Sequence, residues 1–173
     1  MKIFCYGAGT TLEDIGWQVY LGLVALLAGS AFFSASETAF ATVNTIRLKN
    51  YADAGDKKAA MALKIAEMYE KTLSSILIGN NLVNIAISSI AAVLFTSWMG
   101  NAGTWVSTIV VTIVVLIFGE ILPKTFAKEH SEKVALGVCG VLLAFITVLT
   151  PVSFLFLKMQ HGFINLFKGE KKQ

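Results

Sequence analysis

The sequence predicts an all-α membrane protein with three transmembrane helices, two short cytoplasmic helices and a juxtamembrane belt helix. Of its 173 residues, 55% are apolar and only 14% are charged, whereas a soluble domain carries about a quarter charged residues. The mean hydropathy is +0.70. This composition excludes an ordinary soluble fold and a disordered chain. The net charge of +3 is too small to indicate a nucleic-acid partner.

Two long stretches without charged residues predict the three spans. The first runs from Ile15 to Ser36 and the second from Thr72 to Gly119, with 22 and 48 residues. A helix needs about 20 apolar residues to cross the bilayer core, so the first stretch holds one span and the second holds two. A turn at 99–103 lies between two interfacial tryptophans. We therefore predict spans at 15–40, 72–98 and 104–122.

A third charge-free stretch, 134–157, supports two alternatives. Its length is sufficient for a fourth span. However, lysines flank it on both sides, and basic residues favour the cytoplasmic side. Pro151 also lacks a backbone donor and is expected to disrupt a helix there. We therefore predict a belt helix that follows the cytoplasmic face without crossing.

The distribution of basic residues predicts the orientation. Segment 41–71 contains six Lys and Arg residues and the turn at 99–103 contains none, which places 41–71 in the cytoplasm. The segment 1–14 is then extracellular, and the basic tail 168–173 is cytoplasmic. In 41–71, charges mix with apolar residues around a break at 54–56, a pattern typical of two short amphipathic helices.

The first predicted span contains polar residues near its inner end. Ser30, Ser34 and Thr38 are four residues apart and share one helix face, with Ser36 and Glu37 beside them. Polar groups inside a span are costly and often functional. The hydroxyls could equally serve close helix packing, and Glu37 could lie at the interface.

The second span contains three amides within five residues, namely Asn80, Asn81 and Asn84. Hydrogen bonding between helices explains one buried amide more easily than three. We therefore favour a lined polar site, because amide oxygens are ligands for hard cations.

The third span ends with Gly119, Glu120 and Pro123. In an α-helix, Pro123 would leave the Gly119 carbonyl without its donor, which is tolerated at membrane depth only in a buried or cavity-lining position. With Glu120 beside it, this carbonyl forms half of a plausible cation site. The alternative is a helix end where Glu120 pairs with Lys124. All these oxygen ligands suit Mg²⁺, Ca²⁺ or Na⁺ and disfavour Zn²⁺.

The three motifs, SASETA at 34–39, GNNLVN at 79–84 and GEILPK at 119–124, resemble the DUF21-type transmembrane domain of the CorC/CNNM magnesium transporters. The resemblance covers 15–167. It implies a homodimer in the cell membrane that binds Mg²⁺ at the inner ends of its spans and exports it in exchange for Na⁺. Carried over by motif, the metal ligands come from Ser34, Asn80, Asn81, Asn84, Gly119 and Glu120, with Ser36 and Glu37 as second choices.

Relatives of this kind continue into a cytosolic tandem CBS domain that binds ATP, and we expect that domain in the full-length protein. The sequence stops at Gln173, so we expect a truncated chain or a short member. The predicted function is Mg²⁺ export by alternating access. The alternative is a membrane module that senses Mg²⁺ or acts as a scaffold without transport. We do not expect an enzyme, because the HExxH and GxSxG motifs are absent from the sequence.

Overall fold

The computed structural model describes the backbone of residues 16–168 and the side chains of residues 16–149. Within this part of the chain every regular element is helical. The helices are α1 (Trp17–Thr42), α2 (Thr45–Asp53), α3 (Lys57–Glu67), α4 (Tyr69–Met99), α5 (Asn101–Val114), the π segment (Val115–Ile121), α6 (Leu122–Glu129) and α7 (Ser131–Lys168). The predicted extracellular segment 1–14 and the tail after residue 168 lie outside the described residues.

Four helices in the described residues are long and apolar enough to cross a membrane. They are Trp17–Thr42, Tyr69–Met99, Asn101–Glu129 and Ser131–Leu149. The first three coincide in position with the predicted spans, and the chain is a multi-pass membrane protein whose described regular elements are all helical. The fourth meets the same criteria, so the belt helix remains a prediction. We expected Pro151 to disrupt this helix, but α7 continues through it.

The outer surfaces of these helices carry many large apolar side chains. Trp105 is 78% exposed, Val24 65% and Ile85 65%. In water, contiguous apolar exposure of this kind is unfavourable and marks membrane or protein contact. A hydrocarbon environment removes the penalty, which agrees with the length and composition of the helices.

The first compact unit contains 16–35 and 79–126. Within it, α4 and α5 are joined by a tight turn at Gly100, whose φ is +59°. The Gly103 amide donates a hydrogen bond to the Gly100 carbonyl over 2.9 Å. Beside the turn, the Thr96 and Thr104 hydroxyls are 3.3 Å apart. The predicted turn between the second and third spans is therefore confirmed.

The second compact unit contains 36–78 and 127–168. Here α2 begins after Asn44, whose side-chain oxygen accepts from the Arg47 amide over 3.1 Å. Helix α3 begins after Asp56, whose carboxylate accepts from the amides of Lys58 and Ala59. Such capping satisfies amides that have no partner within the helix. The two short helices and the break between them are confirmed, and their cytoplasmic side remains a prediction.

Small residues allow α3 to pack closely in this unit, where it contacts both α2 and α7. Its buried positions recur at three-residue spacing, at Ala59, Ala62 and Ile65. An exposed ion pair joins Arg47 Nη1 to Glu132 Oε1 over 2.9 Å. The hydrogen bond from Arg47 to Glu132, together with their charge attraction, raises the pKa of Arg47. Because the pair faces solvent, it adds little to stability.

Candidate cation site

The buried Ser30 hydroxyl on α1 meets two amide oxygens from α4. Ser30 Oγ lies 2.8 Å from Asn84 Oδ1 and 3.2 Å from Asn80 Oδ1. A hydroxyl has one proton and donates it to one acceptor at a time, so the two oxygens compete for the same donor. Asn80 and Asn84 are one helical turn apart and therefore reach the same point of α1. Three side-chain oxygens thus converge at the depth of the spans.

The backbone of Gly119 borders the same hydroxyl. A Cβ atom built on Gly119 would lie 2.8 Å from Ser30 Oγ and 3.4 Å from Ser30 Cβ. Since no side chain fits without moving Ser30, glycine is required for this close approach. We call Ser30, Asn80, Asn84 and Gly119 the Ser30 cluster. It brings together α1, α4 and the π segment.

The hydrogen-bond register around Gly119 differs from the one that was expected. The Leu122 amide donates to the carbonyl of Ile117, five residues back, as in a π-helix. Pro123 follows directly and has no N–H to donate. In this register the Phe118 carbonyl, five residues before Pro123, is the one that loses its donor. The Gly119 carbonyl was predicted to lose it because an α-helical register was assumed. π-helical turns occur frequently at functional sites.

The Ser34 hydroxyl lies one turn after Ser30 on α1 and is fully buried. Among the side chains of residues 16–149, Ser34 Oγ is a buried polar atom without a hydrogen-bond partner. Leaving such a group unpaired costs about 1–3 kcal/mol. A ligand oxygen or cation that partners this hydroxyl would explain why it is kept.

We expect Ser34→Ala and Ser30→Ala to change stability in opposite directions. Ser34→Ala removes an unpaired buried group, so the melting temperature of the cation-free protein in detergent should stay the same or rise. Ser30→Ala removes the one hydrogen bond that this hydroxyl donates to Asn80 or Asn84 and should cost about 1 kcal/mol. Both changes replace serine by alanine within α1, so the change in helix propensity is the same in both variants and does not affect the comparison. An equal loss in the two variants would contradict the unpaired state of Ser34.

The other predicted ligands have different surroundings. Asn81 is exposed on α4 and lies outside the Ser30 cluster, whereas Asn80 is only 8% exposed. Ser36 and Glu37 belong to the second compact unit. Ser30 was not among the predicted ligands, although its four-residue spacing from Ser34 was a usable signal.

Glu120 lines a cleft formed by α4, α5 and the π segment. The cleft has a volume of about 210 Å³ and is lined by Asn84, Ser88, Val111, Thr112, Val115, Leu116 and Glu120. Ser88 donates its hydroxyl proton to the Asn84 carbonyl over 2.9 Å. Asn84 therefore belongs to the cleft and to the Ser30 cluster, and the two polar regions are contiguous.

Apolar helices of spanning length around a cluster of amide and hydroxyl oxygens define a multi-pass membrane protein with an internal polar site. Residues 21–173 match the family described as the Cyclin M transmembrane N-terminal domain, CNNM. The chain belongs to this family, which confirms the resemblance found in the three motifs.

Several bacterial proteins are similar to this chain over more than half of its length. The chain is 39% identical over 137 residues to a UPF0053 protein of Haemophilus influenzae, covering 79% of the chain and 33% of the relative. It is 43% identical over 106 residues to the UPF0053 inner membrane protein YfjD of Escherichia coli, covering 61% and 25%. It is 27% identical over 165 residues to a polyamine export protein of Haemophilus influenzae, covering 88% and 38%. The chain thus spans at most 38% of the length of these three relatives.

Proposed function

We propose that this chain is the membrane domain of a Mg²⁺ exporter that acts as a homodimer, by alternating access, with Na⁺ entry as the driving force. The main support is the meeting of the Ser30 hydroxyl with the oxygens of Asn80 and Asn84. Amide, hydroxyl and carbonyl oxygens are ligands that hard cations accept. Membership of the CNNM family and the internal position of these polar groups agree with a transported cation.

Each part of the site has a distinct role in this proposal. Asn80, Asn84 and the unpaired Ser34 hydroxyl would replace water around Mg²⁺, which requires near-octahedral oxygen ligands. Ser30 would turn its proton away from whichever amide oxygen binds the ion. Glu120 would supply negative charge, and the Gly119 backbone would allow close approach. Asn81, Ser36 and Glu37 remain candidates from the family resemblance alone.

The π segment and Pro123 supply the element that would move during transport. A π turn followed by proline has fewer backbone hydrogen bonds to keep than an α-helix of the same length. Interrupted helices beside a central site are a common feature of secondary transporters. Na⁺ entering along its gradient and the membrane potential would provide the free energy for Mg²⁺ export.

A polyamine is the second candidate cargo, because the relative named a polyamine export protein aligns over 88% of this chain. Its ammonium groups would donate hydrogen bonds to amide and carboxylate oxygens such as those of Asn84 and Glu120. A non-transporting Mg²⁺ sensor or scaffold is the third candidate, and it would use the same oxygens without moving the ion.

We expect Glu120→Gln to lower Mg²⁺ transport by at least about tenfold, equivalent to about 1.4 kcal/mol. The substitution keeps the size of the side chain and removes a charge that attracts a divalent cation. The measurement is Mg²⁺ flux through the purified 173-residue chain in lipid vesicles, with an imposed Na⁺ gradient and with K⁺ replacing Na⁺. Glu129→Gln, at the exposed end of α6, is the matched control and should transport normally.

The same preparation separates the three candidates. Calorimetric titration with Mg²⁺, and with Ca²⁺ in parallel, reports binding, and radiolabelled spermidine reports polyamine flux. Saturable Mg²⁺ binding without flux would favour the sensor or scaffold. Spermidine flux without Mg²⁺ flux would favour the polyamine exporter. Mg²⁺ flux that Glu120→Gln leaves unchanged would contradict the assigned role of Glu120.

A further inference from the structure

We propose that the cleft between α4 and α5 is a second cation station, which holds a hydrated divalent cation through Thr112 and Ser88 next to the Ser30 cluster. The inference rests on the proposed function, because it describes where the cargo of that site binds before losing its water or after regaining it. Its ligand class is an octahedral cation that retains its first hydration shell.

The volume of the cleft suits a hydrated ion. About 210 Å³ of the cleft is open to the centres of water molecules, and a site needs about 10–15 Å³ of that measure to hold one water. The six waters around Mg²⁺ therefore fit within the cleft. A bare ion would leave most of this space unfilled and would find too few protein oxygens for octahedral coordination.

The polar groups of the cleft are sparse, which favours contact through water. The cleft is lined by the apolar residues Val111, Val115 and Leu116 and by the polar residues Ser88, Thr112, Asn84 and Glu120. Waters bound to Mg²⁺ are hydrogen-bond donors, so they require acceptors. The hydroxyl oxygens of Thr112 and Ser88 can accept these hydrogen bonds. Ser88 donates its own proton to the Asn84 carbonyl, which leaves its oxygen free to accept. The Glu120 carboxylate accepts through either oxygen and balances the positive charge.

The position of the cleft along the helices fits a route between the Ser30 cluster and the Gly100 turn. Ser88 is eight residues beyond Asn80 on α4, which corresponds to about 12 Å along the helix axis. Asn84 lies between them, accepts from Ser30 through its side chain and is among the residues that line the cleft. In this proposal a cation exchanges its waters for protein oxygens at Asn84.

Cobalt(III) hexammine tests this station directly. It is an octahedral cation of similar size to hexahydrated Mg²⁺, its six ligands donate hydrogen bonds, and they do not exchange, so it cannot bind by direct coordination to the Ser30 cluster. Calorimetric titration of the 173-residue chain in detergent should give saturable binding. Thr112→Val, which keeps the shape and removes the hydroxyl, should weaken binding by about fivefold. Ser88→Ala should weaken it by a similar factor.

Two variants keep the test specific. Thr112→Ser retains the hydroxyl and should bind almost as tightly as the unmodified chain. Thr108→Val removes a hydroxyl one turn away on α5, which donates to the Thr104 carbonyl and is not among the residues that line the cleft, so binding should not change. Absence of hexammine binding, or equal affinity in Thr112→Val, would overturn the second station. Such a result leaves Mg²⁺ flux and its dependence on Glu120 unaffected, whereas absence of Mg²⁺ flux with normal hexammine binding would overturn only the proposed function.

Discussion

Gly119→Ala is expected to weaken the cation binding that we propose at the Ser30 cluster by about tenfold or more. The added methyl group would lie 2.8 Å from Ser30 Oγ, a distance that real Cβ contacts do not reach. Ser30 must then move away from Asn80 and Asn84, or the π segment must move away from α1. Such overpacking costs about 1–3 kcal/mol. We expect Mg²⁺ affinity, measured by calorimetric titration, to fall by about tenfold or more, since about 1.4 kcal/mol corresponds to that factor.

Two further variants make this result specific to the contact. Gly22→Ala on α1 adds a methyl group with no atom within 4 Å and should bind Mg²⁺ normally. Gly119→Ala combined with Ser30→Ala removes the hydroxyl that clashes, so the melting temperature should recover. Binding should remain weak in the double variant because the arrangement of oxygens is incomplete. Normal Mg²⁺ affinity in folded Gly119→Ala would show that the close approach of Gly119 to Ser30 has no part in binding.

Gly103→Ala is expected to cause the largest loss of stability among the glycine substitutions. A Cβ atom at Gly103 would overlap the carbonyl group of Phe95 and lie 2.7 Å from the amide nitrogen of Thr96. These neighbours are backbone atoms of α4, which cannot rotate away as a side chain can. The α4–α5 hairpin must therefore open, at a cost of about 3 kcal/mol. Thermal unfolding in detergent, followed by loss of helical circular dichroism, measures the effect.

Gly137→Ala is the control for this prediction, because the added methyl group has free space. Gly137 lies in α7, where an added methyl group would meet no atom within 4 Å, and alanine is favoured over glycine inside a helix by about 1 kcal/mol. The melting temperature of Gly137→Ala should therefore stay the same or rise. A similar melting temperature for Gly103→Ala and Gly137→Ala would rule out the tight hairpin contact.

The helices and their order were predictable because each depends on local composition. A run without charges can be stable in a bilayer only if its backbone forms its own hydrogen bonds, so the charge-free stretches had to be helical. The short pair α2 and α3 was predicted from the mixture of charged and apolar residues in 41–71 and from the break at 54–56, and the structure adds the caps Asn44 and Asp56. Hydropathy could not separate a belt from a span at 134–157, because both require an apolar helix.

The site was predictable in its chemistry and only partly in its geometry. Amide, hydroxyl and carboxylate groups within the spans indicated oxygen ligands, and Asn80, Asn84 and Gly119 do come together around Ser30. Asn81 looked equivalent to its neighbours in the sequence, yet it is exposed. Adjacent residues on a helix point about 100° apart, so only the packing of α1 against α4 selects which amides face inward.

Sequence alone determined that this protein is a helical membrane protein with amide, hydroxyl and carboxylate groups inside its apolar helices, since both features depend on residue types along the chain. Tertiary structure decided which of those groups meet. Ser30 and Asn84 are 54 positions apart, and their hydrogen bond exists only because α1 and α4 pack together. The structure also shows a π register before Pro123, where the prediction assumed an α-helical register.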